Sequence, residues 1–533
     1  MEKTKIEIMD TTLRDGEQTR GVSFLPHEKL MLARMLLTRL RVDRIEVASA
    51  RVSAGEKEAV AAICKWAAGI GCLDKVEVLG FVDNHISLDW INDCGGKVIN
   101  LLAKGSEKHC THQLHKTLQE HAADIKESIA YATSLGIRTN LYLEDWSGGM
   151  ENSRDFVWGL MDELKDEPVG RFILPDTLGI LDPLQTYDYM RQIIRRYPGC
   201  TFEFHAHNDY DLAISNVVAA VLAGCRVIDV TVNGLGERAG NAPVSSVDAI
   251  LRDHFNCEMN LDEKYLYEIS RTVENYAGIA VAPNKPIVGE SVFTQVAGVH
   301  ADGDKKDNLY CNDLHPERFG RRREYALGKA SGKANIAQNL AQLGLELTPE
   351  QTKQVTRRVV ELGDKKELVT KDDLPYIVAD VLKHSPQERK VKLLSYAVTS
   401  ASGLKPMASV SLEVEGAVYE ECATGDGQYD AFMRALRHIY KKSLNKPFPW
   451  LVNYNVTIPP GGRTDALVQS VITWSYEGRT YRTTGLDADQ TESAVKATMK
   501  VLNLIENNDG PMETGAASDE NIRNEKIIRN RIN

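Results

Sequence analysis

Over the first half of the chain, short runs rich in aliphatic and β-branched residues alternate with longer amphipathic stretches. The short runs are KIEIMD (5–10), RIEVA (44–48), KVEVLGF (75–81), KVINLLA (97–103), RTNLYLE (138–144), RFILPD (171–176), FEFHAH (202–207) and VIDVTVNG (227–234). Each reads as a strand, and stretches such as 25–40 and 152–166 read as the helices between them. Strands separated by helices make a parallel sheet. Eight such units in about 250 residues predict a closed α/β structure, the (β/α)8 TIM barrel, over an open doubly wound sheet. In such a barrel the chemistry belongs at the C-terminal strand ends.

The alternation stops near residue 265, and the chain to about 385 is polar and interrupted. Within it, 297–320 reads as a loop and 333–346 as a helix. The charged stretch 383–390, which contains Pro386, reads as a hinge. Beyond the hinge the sequence repeats itself. Tyr396-Ala-Val-Thr and Tyr454-Asn-Val-Thr are each expected to open a strand, a second strand pair follows, and each half ends in an apolar helix after a glycine turn at Gly425 or Gly485. This predicts a duplicated βββα (α+β) domain with a cleft between its halves. A packing or dimer role and a ligand-binding role weigh equally for it. The expected organisation is a barrel over 1–265, a linker region over 266–390, the duplicated domain over 391–510 and a polar tail over 511–533.

Composition narrows the function classes. At 533 residues the chain is too long for one ordinary core, and its net charge of -11 argues against general nucleic-acid binding. No apolar run approaches membrane-spanning length, and the opening MEKTKIEIMD lacks the basic-then-apolar layout of a signal peptide. Nine scattered cysteines with no C-x-x-C pair suit a reduced compartment, so a cytoplasmic location is expected.

The candidate chemistry lies at the ends of the first, seventh and eighth strands. Residues two apart on a strand share a face, so His205 and His207 point the same way. The pair alone could be ordinary polar residues near a strand end. Strand one, however, ends in DTTLRDGEQ with Arg14 and Asp15, and NGLGERAGNA after strand eight supplies Asn241. In a closed barrel these three strands are neighbours. Asp15, His205, His207 and Asn241 then form a mixed nitrogen and oxygen site with open positions, suited to Zn, Mn or Mg and to chelation of a substrate. Arg14 beside it can stabilise negative charge developing on an oxygen, or can be a barrel-end salt bridge.

DTTLRDGEQ, HAHND and NGLGERAGNA together resemble the metal-dependent acyltransferases and lyases that include the 2-isopropylmalate, homocitrate and citramalate synthases. The resemblance runs through nearly the whole chain, and the duplicated domain is similar to that of the amino-acid-regulated synthases rather than the lyases. GEQTRGVSF, NLYLEDW, HNDYDL and AGVHADGDKKDNLY resemble the citramalate-forming members most. The resemblance implies that a 2-oxo acid chelates the metal and that acetyl-CoA, the co-substrate, loses a methyl proton and attacks the keto carbon. It implies that Glu144 is the base or proton shuttle and that Thr177 binds the oxo-acid carboxylate. It further implies that His300, Asn308 and Tyr310 form a second catalytic group that caps the site of a partner subunit in a homodimer. Lys305 and Lys306 could meet CoA phosphates, but two lysines in a polar loop are more simply solvated.

Specificity is expected from Leu79, Leu102 and Tyr142, near the ends of strands three, four and five. Homocitrate synthases carry a basic or polar residue where this chain has Leu102, which disfavours 2-oxoglutarate, because its distal carboxylate would be buried unpaired. Isopropylmalate synthases typically read S-P-E where this chain reads Tyr142-Leu143-Glu144, and the tyrosine fills the space an isopropyl group needs. Pyruvate is therefore the expected substrate, with 2-oxoisovalerate and isopropylmalate formation as the alternative. Other readings are a barrel lyase and a catalytically idle amino-acid sensor; the duplicated domain disfavours the first and the intact acid/base set the second. For the duplicated domain the resemblance implies an end-product effector, isoleucine first and leucine second.

Overall fold

The computed structural model describes residues 3–304, 309–343, 347–364, 390–457, 468–487 and 489–506, together with 345, 369, 374, 377, 378 and 381. Eight parallel strands close into a barrel: β1 (Glu7–Asp10), β2 (Arg44–Ser49), β3 (Val76–Phe81), β4 (Val98–Lys104), β5 (Arg138–Glu144), β6 (Val169–Asp176), β7 (Phe202–Ala206) and β8 (Val227–Val230). The closure is the β1–β8 pairing, with Glu7 opposite Val227 and Asp10 opposite Val230. Every expected strand is present. The eighth is shorter than the apolar run suggests, because Val232–Gly234 turns as a 3-10 segment with Asn233 in the left-handed region at φ 59°. The two helices expected over 25–40 and 152–166 are Pro26–Arg34, which continues as a wider turn over Met35–Leu40, and Arg154–Leu164.

The strands bury both faces, as a parallel barrel requires. Val47, Val78, Leu101, Leu141, Leu143, Leu174 and Phe204 belong to the continuous apolar core that the strands share with the surrounding helices. The alternate positions fill the interior, and there the lower layer is polar. Arg171 Nε bonds Glu203 Oε2 at 2.5 Å, and its terminal nitrogen bonds both oxygens of Glu77 at 2.7 and 2.8 Å. Asn140 Nδ2 donates to Glu77 and Asn100, and Asn100 Nδ2 to Glu46. Arg171→Met should leave the buried Glu203 without its cation and Glu77 with only Arg44, 3.9 Å away, and cost about 3–5 kcal/mol. Calorimetry should show the barrel transition moving to lower temperature; an unchanged transition would mean the triad does not hold the barrel.

The barrel's compact unit runs to Phe293 and takes in Cys311–Arg323, past the expected limit at 265. Leu266, Ile269 and Val273 on the helix Leu266–Ala277, with Phe319, lie in the barrel's own core. The stretch expected as a loop over 297–320 is partly helical, since Gly298–Asp304 is a helix and Pro316–Phe319 a 3-10 turn.

The second unit contains two three-stranded antiparallel sheets, β9 (Val391–Thr399), β10 (Met407–Val414) and β11 (Ala417–Thr424), then β12 (Trp450–Thr457), β13 (Val468–Tyr476) and β14 (Arg479–Asp487). Each is followed by a helix, Gln428–His438 and Gln490–Glu506, so the βββα repeat is present. Val410 and Leu412 from one sheet and Ile472 and Trp474 from the other share one core with Phe432, Leu436, Val501 and Leu502 from the helices. Tyr396 and Tyr454 sit inside their strands rather than at their starts, which are Val391 and Trp450. Gly485 likewise lies in a strand and not in a turn, yet it matches Gly425 in purpose. A Cβ there would fall 1.8 Å from the Ser493 carbonyl oxygen, and one on Gly425 2.3 Å from the Ala431 nitrogen, so both let a helix backbone lie against the sheet. The expected hinge at 383–390, apart from Lys390, and the tail at 511–533 lie outside the described residues. Among the described residues no helix is long and apolar enough to cross a membrane.

Candidate active site

Period-two alternation stacks the site on the polar layer. Two residues beyond Glu77, Asn100, Asn140, Arg171 and Glu203 on the same faces stand Leu79, Leu102, Tyr142, Ile173 and His205. Leu79, Tyr142 and Ile173 form one buried apolar cluster, with Leu102 packed against it. The three residues expected to set specificity are thus in contact, and Ile173 joins them as a wall the sequence reading missed. Tyr142 is also the bridge to the polar side of the mouth. Its ring lies 5.7 Å from that of His205, and the Arg14 guanidinium sits 5.7 Å from the same ring. Burial pushes its phenol well above the usual range, so it stays protonated.

The four expected ligands come together. His205 Nε2 lies 3.3 Å from His207 Nε2 and 3.4 Å from Asp15 Oδ2, and His207 Nε2 lies 3.8 Å from the same oxygen. One ligand atom from each of the three residues falls within 4.8 Å of the others, and all three residues are buried. Asn241 is brought in by the glycines around it. Gly240 has φ 85°, and a Cβ on it would fall 2.0 Å from the Gly234 oxygen, so the turn that pairs Asn241 with His207 needs glycine. Asn241 Nδ2 donates to Asp15 Oδ2 at 2.6 Å and to the Leu235 carbonyl at 3.0 Å, while its Oδ1 is buried and accepts no hydrogen bond from the described residues.

The electrostatics fit a cation. Burial alone would raise the Asp15 carboxyl, but the Arg14 guanidinium, and after it His205, hold it well below the usual carboxylate range. Burial, with His205 next to it, pushes His207 down to about 3, so its imidazole is neutral at physiological pH. His205 Nδ1 lies 2.9 Å from Asp229 Oδ2, an outer partner that fixes the orientation of the ring whose Nε2 faces Asp15 and His207. The ionised Asp15 carboxylate and the Nε2 atoms of His205 and His207 converge here, with the Asn241 amide bonded to Asp15 beside them, a donor set that suits a divalent ion with positions left open.

Arg14 is both a salt-bridge partner and more. Its Nε meets Glu46 Oε2 at 2.5 Å and one terminal nitrogen lies 3.4 Å from Asp15 Oδ1, while the other, NH2, is buried without a hydrogen-bond acceptor among the described residues. That nitrogen can receive a substrate oxygen. Thr177 is half-buried, and its hydroxyl accepts the Asp145 backbone N–H at 2.9 Å, which leaves the hydroxyl proton free to donate. Glu144 stands on the interior face two residues beyond Tyr142 and is paired with Lys104, a partner the sequence reading did not supply.

The remaining candidates belong to the second unit. His300 lies on the helix Gly298–Asp304, and its ring centre is 4.4 Å from that of Tyr310. Asn308, Lys305 and Lys306 lie outside the described residues. Of the residues the sequence reading missed, Asp229 and Glu46 carried a signal, since each is a lone acid inside an otherwise apolar barrel strand.

The fold and the site define a TIM-barrel enzyme with a candidate metal site of Asp15, His205 and His207 at the C-terminal end of the barrel. Comparison with known families agrees: residues 5–273 match the model described as HMGL-like, residues 287–367 the homocitrate synthase post-HMGL domain-like model, and residues 368–506 the LeuA allosteric (dimerisation) domain. The chain is 33% identical over 504 residues to (R)-citramalate synthase of Methanocaldococcus jannaschii, covering 94% of this chain and 100% of that one. It is equally 33% identical over 507 residues to 2-isopropylmalate synthase of the same organism, covering 94% and 95%. A putative (R)-citramalate synthase of Methanothermobacter thermautotrophicus matches at 33% over 503 residues, covering 94% and 98%. The chain belongs to the HMGL-like family, in the branch of acetyl-CoA-dependent 2-isopropylmalate and citramalate synthases.

Proposed function

We propose that this enzyme condenses acetyl-CoA with pyruvate to give (R)-citramalate and free CoA, as a step toward isoleucine. The observation that carries the choice of pyruvate is the closed apolar wall of Leu79, Leu102, Ile173 and Tyr142 beside the ligand cluster. A methyl group fits against such a wall, whereas a distal carboxylate would be buried without a cation, at a cost of several kcal/mol. Formation of 2-isopropylmalate is the second reading, supported by the equal identity to that synthase.

Asp15, His205, His207 and Asn241 would hold the divalent ion, which when bound polarises the keto group of the oxo acid as a Lewis acid. The free Arg14 nitrogen reaches for the keto oxygen as it gains negative charge, and the Thr177 hydroxyl donates to the oxo-acid carboxylate. Glu144 takes a proton from the acetyl methyl; the carbon left with the electron pair bonds to the keto carbon, whose oxygen ends as a hydroxyl. Water then cleaves the thioester, releasing CoA and a second carboxylate. His300 and Tyr310, with Asn308, are proposed as the second catalytic group, acting across a homodimer. The match of 368–506 to an allosteric (dimerisation) domain supports the dimer and an amino-acid effector, isoleucine or else leucine. Nine scattered cysteines with no C-x-x-C pair support a cytoplasmic location.

Tyr142→Ser opens the wall and should raise kcat/KM for 2-oxoisovalerate relative to pyruvate by about 10- to 100-fold, the usual worth of space for one or two methyl groups. Steady-state kinetics on both acids checks this. A wild-type enzyme that already prefers 2-oxoisovalerate would reverse the assignment in favour of isopropylmalate formation.

A further inference from the structure

The rim between β4 and β5 is held more tightly than a strand end needs. Lys104 stands opposite Glu144 in the register, and its ammonium is paired with the Glu144 carboxylate. The side chain of Lys104 is 9% exposed and that of Glu144 27%. Three further bonds fix the two residues. β3 ends at Phe81, opposite Leu102, so the Lys104 N–H has no strand partner on that side; His121 Nε2 accepts it at 3.0 Å instead. Burial pushes His121 down to about 4, which keeps that nitrogen an acceptor at physiological pH. Next along the chain, the Gly105 N–H donates to the Glu144 carbonyl at 2.7 Å and Ser106 Oγ to Asp145 Oδ2 at 2.7 Å. The Asp145 N–H in turn reaches Thr177.

Burying an ammonium this far costs more than an exposed ion pair returns. The arrangement does not serve the barrel core, whose own cation is Arg171 two layers further in. What it does fix is the rotamer of Glu144, a carboxylate at the mouth that is not a ligand candidate. We propose that Lys104 is a positioning residue that acts through Glu144, aiming its carboxylate for proton abstraction. This rests on the reading of the enzyme as a synthase in which Glu144 is the base. The anchor on the Lys104 backbone is independent of its side chain, so the strand end survives substitution.

The test is a double-mutant cycle on the full-length, metal-loaded enzyme, with kcat and the KM for pyruvate measured separately. Lys104→Met should lower kcat about 10- to 100-fold, as loss of an orienting partner does, with little change in KM. Lys104→Arg, which keeps the cation, should recover most of the loss. In a Glu144→Gln background, Lys104→Met should cost nothing further, because the group it aims is already gone. Losses that multiply across the cycle, a rise in KM alone, or failure of Lys104→Arg to recover activity would overturn the proposal. Lys104→Met with wild-type kcat beside an inactive Glu144→Gln would overturn it and leave the base assignment standing. Wild-type kcat in Glu144→Gln, or a wild-type enzyme that turns over no 2-oxo acid, would overturn both together.

Discussion

His207→Ala should abolish turnover and weaken divalent-metal binding while the barrel stays folded. The side chain lies at the mouth, next to His205 and Asp15, so removing it takes one ligand atom from the cluster without disturbing the polar layer beneath. Loss of an outer partner of a metal ligand costs about 10–100-fold in affinity or activity, and loss of the ligand itself should exceed that. Metal affinity by titration calorimetry gives a readout independent of activity. Full activity of chelator-treated wild-type enzyme would remove the basis for the metal centre altogether.

Glu144→Gln is the second large effect. The amide keeps the shape and a hydrogen bond to Lys104 through its oxygen, yet it cannot take a proton. General-base catalysis contributes about 10^2–10^4-fold, so kcat should fall by that factor while the KM for the oxo acid changes little. The exchange of deuterium from solvent into acetyl-CoA should fall in step. If exchange persists in Glu144→Gln at the wild-type rate, another group is the base, and His300 or Tyr310 becomes the candidate.

Much of the barrel was legible because parallel strands buried on both faces read as compact apolar runs, and the turns between them break that pattern sharply. The ligand set was legible for a related reason. A period of two fixes that His205 and His207 share a face, and closure of the barrel makes the ends of β1, β7 and β8 neighbours. What depends on register was not. Lys104 meets Glu144, and Ile173 completes the wall with Tyr142, only because β4, β5 and β6 are aligned as they are, which no run of residues along one strand encodes. The helix Gly298–Asp304 was missed because its two glycines and two aspartates, Gly298, Gly303, Asp302 and Asp304, are poor helix formers. In the duplicated domain the repeat itself was plain, but Tyr396 and Tyr454 mark strand interiors. There the Tyr396 hydroxyl bonds Glu492 on the other half's helix, and the Tyr454 ring packs 5.4 Å from that of Tyr429. Those tyrosines cross between the halves, which is a tertiary role.

We propose that the apolar pocket of this synthase selects the smallest 2-oxo acid. This selection is tested most directly by CoA release from acetyl-CoA in the full-length, metal-loaded enzyme with pyruvate, 2-oxoisovalerate and 2-oxoglutarate compared as kcat/KM. The expected result is the highest value for pyruvate, a lower one for 2-oxoisovalerate and none for 2-oxoglutarate; a preference for 2-oxoglutarate, or no CoA release with any of the three, would contradict it.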